Sequence, residues 1–337
     1  MSVSYFFLCF LCENFLSGWC GFLQYVNLGN TGINVSRLCF GGLIIGPLQA
    51  DLSPCQGAQI ILKAIELGVN FIDTAELYGT YPHIREALKK TNKDIVIATK
   101  SYAYSKEGAM ESVEKARREM DIDVIDIFLL HEQESRLTLK GHRDALEYYL
   151  SMKEKGIIKA VGVSTHNVEV VEACCDMPEI EVIHPIVNKT GIGIGDGTID
   201  EMLKAVEKAF NMGKGIYSMK PLGGGNLIGS YEEALKFVLD LPYIHSIALG
   251  MQSVDEVIMN ICMFKNEKVP GHIKESLQKK QRHLHIDWWC TGCGKCVRRC
   301  KQGALYIDDG KAKVCEEKCV LCSYCASVCP EFAIKVC

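Results

Sequence analysis

The chain lacks a strong charge of either sign. Its 337 residues carry 37 Lys and Arg against 41 Asp and Glu, a net charge of −4. Such a balance offers no basic field for nucleic acid or for an anionic lipid surface. A long apolar run is lacking as well. The stretch Tyr5–Cys12 is broken by Glu13 and Asn14 and is too short to span a bilayer. Basic residues are missing before Arg37, so residues 1–24 have no positive n-region or small-residue cleavage site and are expected to lie outside the fold. No complete nucleotide-binding glycine motif is found. Gly191-Ile-Gly193-Ile-Gly195-Asp-Gly197 places Asp196 where GxGxxG needs its third glycine. Gly41–Gly46 has P-loop glycine spacing without the following Lys-Ser/Thr.

Cysteine is what the chain has in excess. Of 18 cysteines, nine fall between Cys290 and Cys329. Cys290, Cys293, Cys296 and Cys300 are spaced CxxCxxCxxxC, and Cys319, Cys322, Cys325 and Cys329 repeat that spacing before Pro330. A zinc site takes four ligands as two pairs and has no use for a third cysteine in each run. Without a secretion signal, a disulfide knot is equally disfavoured. The spacing matches the bacterial ferredoxin run, in which the fourth cysteine of each run serves the other cluster. By that resemblance Cys290, Cys293, Cys296 and Cys329 hold one [4Fe–4S] cluster. Cys319, Cys322, Cys325 and Cys300 hold the second. A strand-like piece follows each run, Ala304–Ile307 and Ala333–Val336, as duplication of one unit would produce. Lys301 stands where a proline follows the second run. Cys315 with Cys319 and Cys322 spells a radical-SAM spacing, but no barrel follows, so Cys315 and Cys337 are read as spare. The lone pair Cys9 and Cys12 has no second pair to complete a metal site.

Upstream, strand-like runs begin near Cys39, Phe71, Ile95, Ile125, Ala160, Val182, Gly215 and Ile244. Helical patterns lie between them, among them Ala58–Glu66, Ala109–Met120, Leu139–Lys155, Ile199–Asn211 and Tyr231–Leu239. Eight strands alternating with helices predict an α/β (β/α)8 TIM barrel rather than an open sheet. Runs such as Asp126–Leu130 are almost wholly apolar, as strands buried on both faces must be. Before them, Tyr25–Arg37 reads as a hairpin turning at Gly29–Gly32.

Three strand ends carry polar residues. Phe71-Ile-Asp-Thr-Ala-Glu-Leu-Tyr-Gly79 delivers Asp73 and Tyr78, Ile95–Lys100 ends in a lysine, and Ile125–His131 ends in a histidine. In that order they resemble the signature of the aldo-keto reductases. The resemblance implies a catalytic tetrad of Asp73, Tyr78, Lys100 and His131. Tyr78 is then the general acid, Lys100 lowers its pKa, Asp73 holds Lys100, and His131 orients the substrate oxygen. It also implies that the hairpin plugs the bottom of the barrel. A nicotinamide coenzyme, NADP or NAD, would lie on Ser164, His184, Met219, Lys220, Leu222, Gly223, Gly250, Ser253 and Asn260. The family pattern is altered here. Thr165 replaces the usual Asn, His184 the usual Gln, and Met219 the stacking aromatic. Glu256 stands where an arginine often meets the 2′-phosphate, so a repelled phosphate is expected. These departures keep a flavin open as an alternative occupant.

The expected domains are an extension (1–24), an aldo-keto reductase barrel (25–265), a linker region (266–287) and a small α+β ferredoxin-like domain (288–337). Trp288 and Trp289 are expected to pack that domain. The leading expectation is a cytoplasmic carbonyl reductase or alcohol dehydrogenase carrying two [4Fe–4S] clusters for electron transfer. Its partners would be a small carbonyl or alcohol substrate and a redox partner protein, with neither nucleic acid nor membrane. The alternative is an electron-transfer protein whose barrel docks a partner or binds flavin.

Overall fold

The computed structural model of the chain describes residues 23–336. A short antiparallel hairpin opens it, β1 (Tyr25–Asn27) paired with β2 (Asn34–Ser36). Eight parallel strands follow: β3 (Leu38–Gly41), β4 (Phe71–Asp73), β5 (Val96–Ser101), β6 (Ile125–Gln133), β7 (Ile158–Thr165), β8 (Val182–Pro185), β9 (Gly215–Met219) and β10 (Ser246–Gly250). They pair in chain order, and β10 closes on β3, giving the expected (β/α)8 barrel. Its lumen is a packed core. Cys39, Phe71, Ala98, Ile127, Leu129, Ala160, Val182, Tyr217 and Ala248 form one buried cluster with Leu28, Ile33 and Val35 of the hairpin. The hairpin therefore does plug the barrel. Its Leu28 is fully buried, which contributes roughly 1.5–3 kcal/mol.

The surrounding helices are α1 (Pro54–Glu66), α2 (Tyr81–Leu88), α3 (Lys106–Met120), α4 (Arg136–Gly141), α5 (Arg143–Glu154), α6 (Val168–Cys175), α7 (Ile199–Asn211), α8 (Tyr231–Leu239) and α9 (Val254–Phe264). Local chemistry sets several starts. Ser53 and Gln56 cap α1 reciprocally with Pro54 in the first turn, and Thr198 and Glu201 do the same for α7. The single helix expected over Leu139–Lys155 is two. Gly141 is a poor helix former, and His142 ends α4 and begins α5 with its Nδ1 2.8 Å from the Thr138 carbonyl.

The segment read as a linker carries structure of its own. In it, α10 (Gly271–Gln278) packs Ile273 and Leu277 against α9, and β11 (Leu284–Ile286) joins the C-terminal module. That module is α+β. Besides β11 it has α11 (Lys295–Arg299), the hairpin β12 (Leu305–Asp308)–β13 (Lys311–Val314), and β14 (Ile334–Val336) pairing antiparallel with β11. Its core gathers Leu284, Leu305, Ala312, Ala326, Ala333 and Ile334 around Cys290, Cys296 and Cys325. Trp289 packs against this core and donates from Nε1 to the Glu331 carbonyl, whereas Trp288 is largely exposed, against expectation. At the other end, Leu23 is already buried in the outer core, ahead of the boundary expected at 25. The remaining residues of the expected extension, 1–22 with Cys9 and Cys12, lie outside the described residues. No described helix is long and apolar enough to cross a membrane.

Candidate active site and cysteine cavities

Parallel closure puts the C-terminal ends of all eight strands on one face, and the polar strand ends converge there. Asp73 ends β4, Lys100 lies in β5 and His131 in β6, and a short turn after β4 presents Tyr78. Lys100 Nζ lies 2.8 Å from the Asp73 carboxylate, 2.8 Å from the Thr74 carbonyl and 3.4 Å from the Tyr78 hydroxyl. The pair is almost wholly buried, with side-chain exposures of 1% and 6%. The His131 ring meets Tyr78 edge-on at 5.7 Å, and its Nδ1 is buried with no protein partner. His131 does not itself line the cleft described below.

The electrostatics differ from expectation at Tyr78. Burial, with the Asp73 and Glu132 carboxylates adding to it, pushes the phenol well above its ordinary value. The Lys100 ammonium is 3.4 Å away and already engaged by Asp73 and Thr74, so it does not reverse this. The resting phenol is therefore not acidified. It keeps its proton at neutral pH. Burial likewise takes the His131 imidazole down to about 3, so it is neutral.

Sequence reasoning missed three neighbours of this set. Tyr217 donates to Asp73 Oδ1 at 2.9 Å and stacks on His184 at 3.9 Å. Strand alternation carries its signal, since Gly215, Tyr217 and Met219 share one side of β9. Tyr102 stacks on His131 at 4.3 Å and donates to Glu132. His166 approaches Lys220, Nε2 to Nζ 2.7 Å. Burial, reinforced by nearby Lys335, lowers the Lys220 ammonium to about 7.

One elongated cleft runs from Asp73 and Tyr78 across the strand ends. Of the expected coenzyme residues, His184, Met219, Lys220, Leu222, Gly250 and Asn260 line it. Ser164, Gly223 and Ser253 do not. Ser164 Oγ accepts from the Glu132 amide at 2.8 Å, Gly223 closes a tight turn onto the Lys220 carbonyl, and Ser253 caps α9. His184 is turned by Tyr217, whose carbonyl lies 2.6 Å from its Nδ1. At the far end Glu256 is not the free repelling acid expected. Its carboxylate accepts from Lys280 Nζ at 2.7 Å and from the Gln252 amide at 2.8 Å. Arg282 also reaches the cleft wall. The cleft thus combines apolar walls with a few convergent polar groups, as small-molecule sites do.

The glycine loop after β9 faces the C-terminal module. The Val336 amide donates to the Gly224 carbonyl at 3.0 Å, and Asn226 Nδ2 donates to the Ile334 carbonyl at 3.1 Å. Gly225 has φ +83°, and a β-carbon there would sit 1.9 Å from the Val336 carbonyl oxygen. The loop's close backbone approach is taken up by β14. Lys335 and Val336 in turn form part of the cleft wall.

In the module, Cys290, Cys293, Cys296 and Cys329 surround one cavity, and Cys300, Cys319, Cys322 and Cys325 surround a second. Each cavity thus gathers three cysteines of one run and the fourth of the other, the grouping that the ferredoxin resemblance implies. The two fourth cysteines are equivalently placed, Cys300 Sγ accepting from the Ala304 amide at 3.4 Å and Cys329 Sγ from the Ala333 amide at 3.3 Å. Among the described residues no three ligand-type side chains converge closely enough for a single metal ion, and no cysteine is in a disulfide. Two cavities each lined by four cysteines have the donor chemistry of two four-iron clusters.

Fold and site together define a barrel oxidoreductase joined to a cysteine-rich module. The aldo/keto reductase family profile matches residues 37–265, and a 4Fe-4S dicluster domain profile matches 289–334. The chain belongs to the aldo/keto reductase family. It is 25% identical over 300 residues to the L-galactose dehydrogenase of Arabidopsis thaliana, covering 76% of this chain and 93% of that one. A probable aldo-keto reductase of Glycine max is 28% identical over 219 residues, 60% of each chain. Among solved structures, a putative aldo-keto reductase of Pseudomonas aeruginosa superposes with a TM-score of 0.63 at 22% identity, covering 74% of this chain and 97% of that one. The holo form of an aldo-keto reductase of Bacillus halodurans gives 0.61 at 21%, covering 76% and 96%. At these identities the structures speak for the fold.

Proposed function

We propose that the protein transfers hydride between a nicotinamide coenzyme, NADP or NAD, and a carbonyl or alcohol substrate. We propose further that its C-terminal module holds two [4Fe–4S] clusters. The observation that carries the first reading is the buried Asp73–Lys100 pair set 3.4 Å from the Tyr78 hydroxyl at the mouth of the cleft. A bound reduced coenzyme supplies the hydride. Tyr78 donates its proton to the carbonyl oxygen, which becomes the alcohol. Lys100 stands beside the phenolate left behind and stabilises it. Asp73, held by Tyr217, keeps Lys100 from turning away. Neutral His131 hydrogen-bonds the substrate oxygen and orients it. Lys220, Leu222, Gly250 and Asn260 bind the coenzyme along the cleft, with Lys280 and Arg282 meeting its far end. Chains that keep eight cysteines as thiolates for iron belong in a reducing compartment, which supports the cytoplasm.

The test is titration of the protein with NADH and NADPH by fluorescence, followed by a panel of aldehydes, ketones and sugars. Saturable coenzyme binding with turnover lost in Tyr78→Phe is the expected result. A second reading, an electron-transfer protein with flavin in the barrel, is favoured by β14 packing on Gly224 and Gly225 and by Met219 in place of an aromatic ring. Flavin fluorescence released on denaturation, with no coenzyme binding, would select it.

A further inference from the structure

The two cysteine cavities have different surroundings. The chain leaving Cys329 runs through Pro330 and Glu331 to Phe332, which is buried against the barrel. The Phe332 ring lies 4.6 Å from Lys220 Nζ and 5.9 Å from the His166 ring, and a β-carbon on Gly193 would meet it at 2.7 Å. The Cys290 set that Cys329 completes is thereby tied to the wall of the barrel cleft.

The other cavity opens on a surface of different character. Arg299 and Lys301 line it and no carboxylate does. Neither cation is within 4 Å of a carboxylate among the described residues; close by in sequence Arg298 and Lys318 are exposed, as are Glu316 and Glu317 next to Lys318. The same cavity is lined by two large exposed apolar side chains, Val320 at 63% exposure and Tyr324 at 59%, the latter ring 5.2 Å from the Arg299 guanidinium. Cys322 of this set is exposed, as is Cys293 of the other, so it is the cations and the bare apolar pair that set this face apart. Apolar side chains left bare beside unpaired cations mark a surface shaped for contact rather than for water.

We propose that this face, made by Arg299, Lys301, Val320 and Tyr324 at the mouth of the Cys300–Cys319–Cys322–Cys325 cavity, docks an acidic one-electron carrier protein. The cations steer a carrier of opposite charge, and the apolar pair gives it a small dry contact beside Cys322. Weak electron-transfer complexes bury less than about 1,200 Å², which a patch of this kind can supply. The step is a single electron leaving the reduced carrier and entering the cluster held by these cysteines, with no bond made and no proton moved. An anionic membrane could use the same cations. A cluster-ligating cysteine within the patch shortens the path for electron exchange and serves no purpose against lipid. The proposal rests on the cluster assignment and is independent of the coenzyme assignment.

The test uses the full-length holoprotein, kept anaerobic, and calorimetric titration with a plant-type acidic [2Fe–2S] ferredoxin at low and high salt. Micromolar binding is expected at low salt, weakened at least about tenfold by high salt and by R299E/K301E. The cluster absorption and the coenzyme affinity of that variant should stay unchanged. V320D, which keeps both cations, should weaken binding as well. Undetectable binding by the wild type at low salt overturns the proposal. So does an unchanged Kd in a charge-reversed variant that retains its cluster absorption. Should R299E/K301E lose its clusters, V320D decides, and an unaltered affinity there overturns the docking face. Preferential binding of a basic haem cytochrome, or of vesicles of phosphatidylserine, overturns it equally. Wild-type protein without cluster absorption removes its foundation, whereas absence of NADH and NADPH binding counts against the reductase reading alone.

Discussion

The Val336 amide donates to the Gly224 carbonyl at 3.0 Å, joining the last strand of the cysteine module to the glycine loop of the barrel. Gly225→Ala would place a methyl group 1.9 Å from the Val336 carbonyl at φ +83°. Backbone cannot yield as a side-chain tip can, and αL-type conformations cost a non-glycine residue about 1–2 kcal/mol before any clash. The expected outcome is undocking of β14, read as faster amide exchange at Ile334–Val336 with the barrel strands unchanged. Unaltered exchange at β14 would show that the loop and strand are not mutually fixed.

Tyr78→Phe removes the proton donor and leaves the buried Asp73–Lys100 pair in place. Turnover on a verified carbonyl substrate should fall on the order of 100-fold or more, with coenzyme affinity and circular dichroism preserved. Near wild-type turnover would remove Tyr78 from the chemistry.

Lys100→Met strands the Asp73 carboxylate in the core with the Tyr217 hydroxyl as its remaining close donor. Breaking a buried pair from one side costs about 3–5 kcal/mol, much of it the unpaired charge left behind. The double variant D73N/K100M should therefore be more stable than K100M. Urea midpoints of the three proteins check this, and a double variant less stable than K100M contradicts it.

Buried histidines make stability depend on acid. His131 and His184 are held down by burial, to about 3 and about 4. In the unfolded chain each titrates near 6.5. Below that value the unfolded state binds protons that the native state refuses. Their contribution is thus fully present above about pH 6.5 and lost as pH falls toward the folded values, at up to about 1.4 kcal/mol per pH unit for each group. The thermal midpoint should drop between pH 7 and pH 5, and His184→Gln should flatten that drop. An equal slope in the variant would show that His184 is not the titrating group.

In the cleft wall Lys280 bonds Glu256, and Arg282 lines the same cleft. Removing both cations (K280A/R282A) should raise the Kd of NADPH about tenfold or more and leave NADH nearly unaffected, because only NADPH places a phosphate there. Equal losses for the two coenzymes would place the adenosine end elsewhere.

Much of this was legible beforehand. The barrel and its eight strands follow from periodicity and order, whereas the plugging hairpin and the two crossed cysteine sets were what the family resemblances implied. Ile199–Asn211 and Tyr231–Leu239 even end where expected, since Thr198–Glu201 capping and apolar spacing are local signals. Other elements were not legible for a local reason. Val168–Cys175 is rich in β-branched residues and becomes a helix only because the barrel wall buries one face of it. The linker region concealed β11, whose three residues carry no pattern until β14 pairs with them.

The sequence by itself determined which chemistry is present: a carboxylate, a phenol, an ammonium and an imidazole at strand ends, and eight thiols at cluster spacing. Tertiary structure decided what state those groups are in and what they face. Burial keeps Tyr78 protonated against the pull of Lys100. Tyr217, remote from Asp73 in the chain, holds that carboxylate. Lys280 neutralises Glu256 from a segment that looked like linker, and β14 takes the glycine loop. Charge state and neighbourhood depend on solvent exclusion and on contacts between distant segments, and neither quantity exists until the chain has closed on itself.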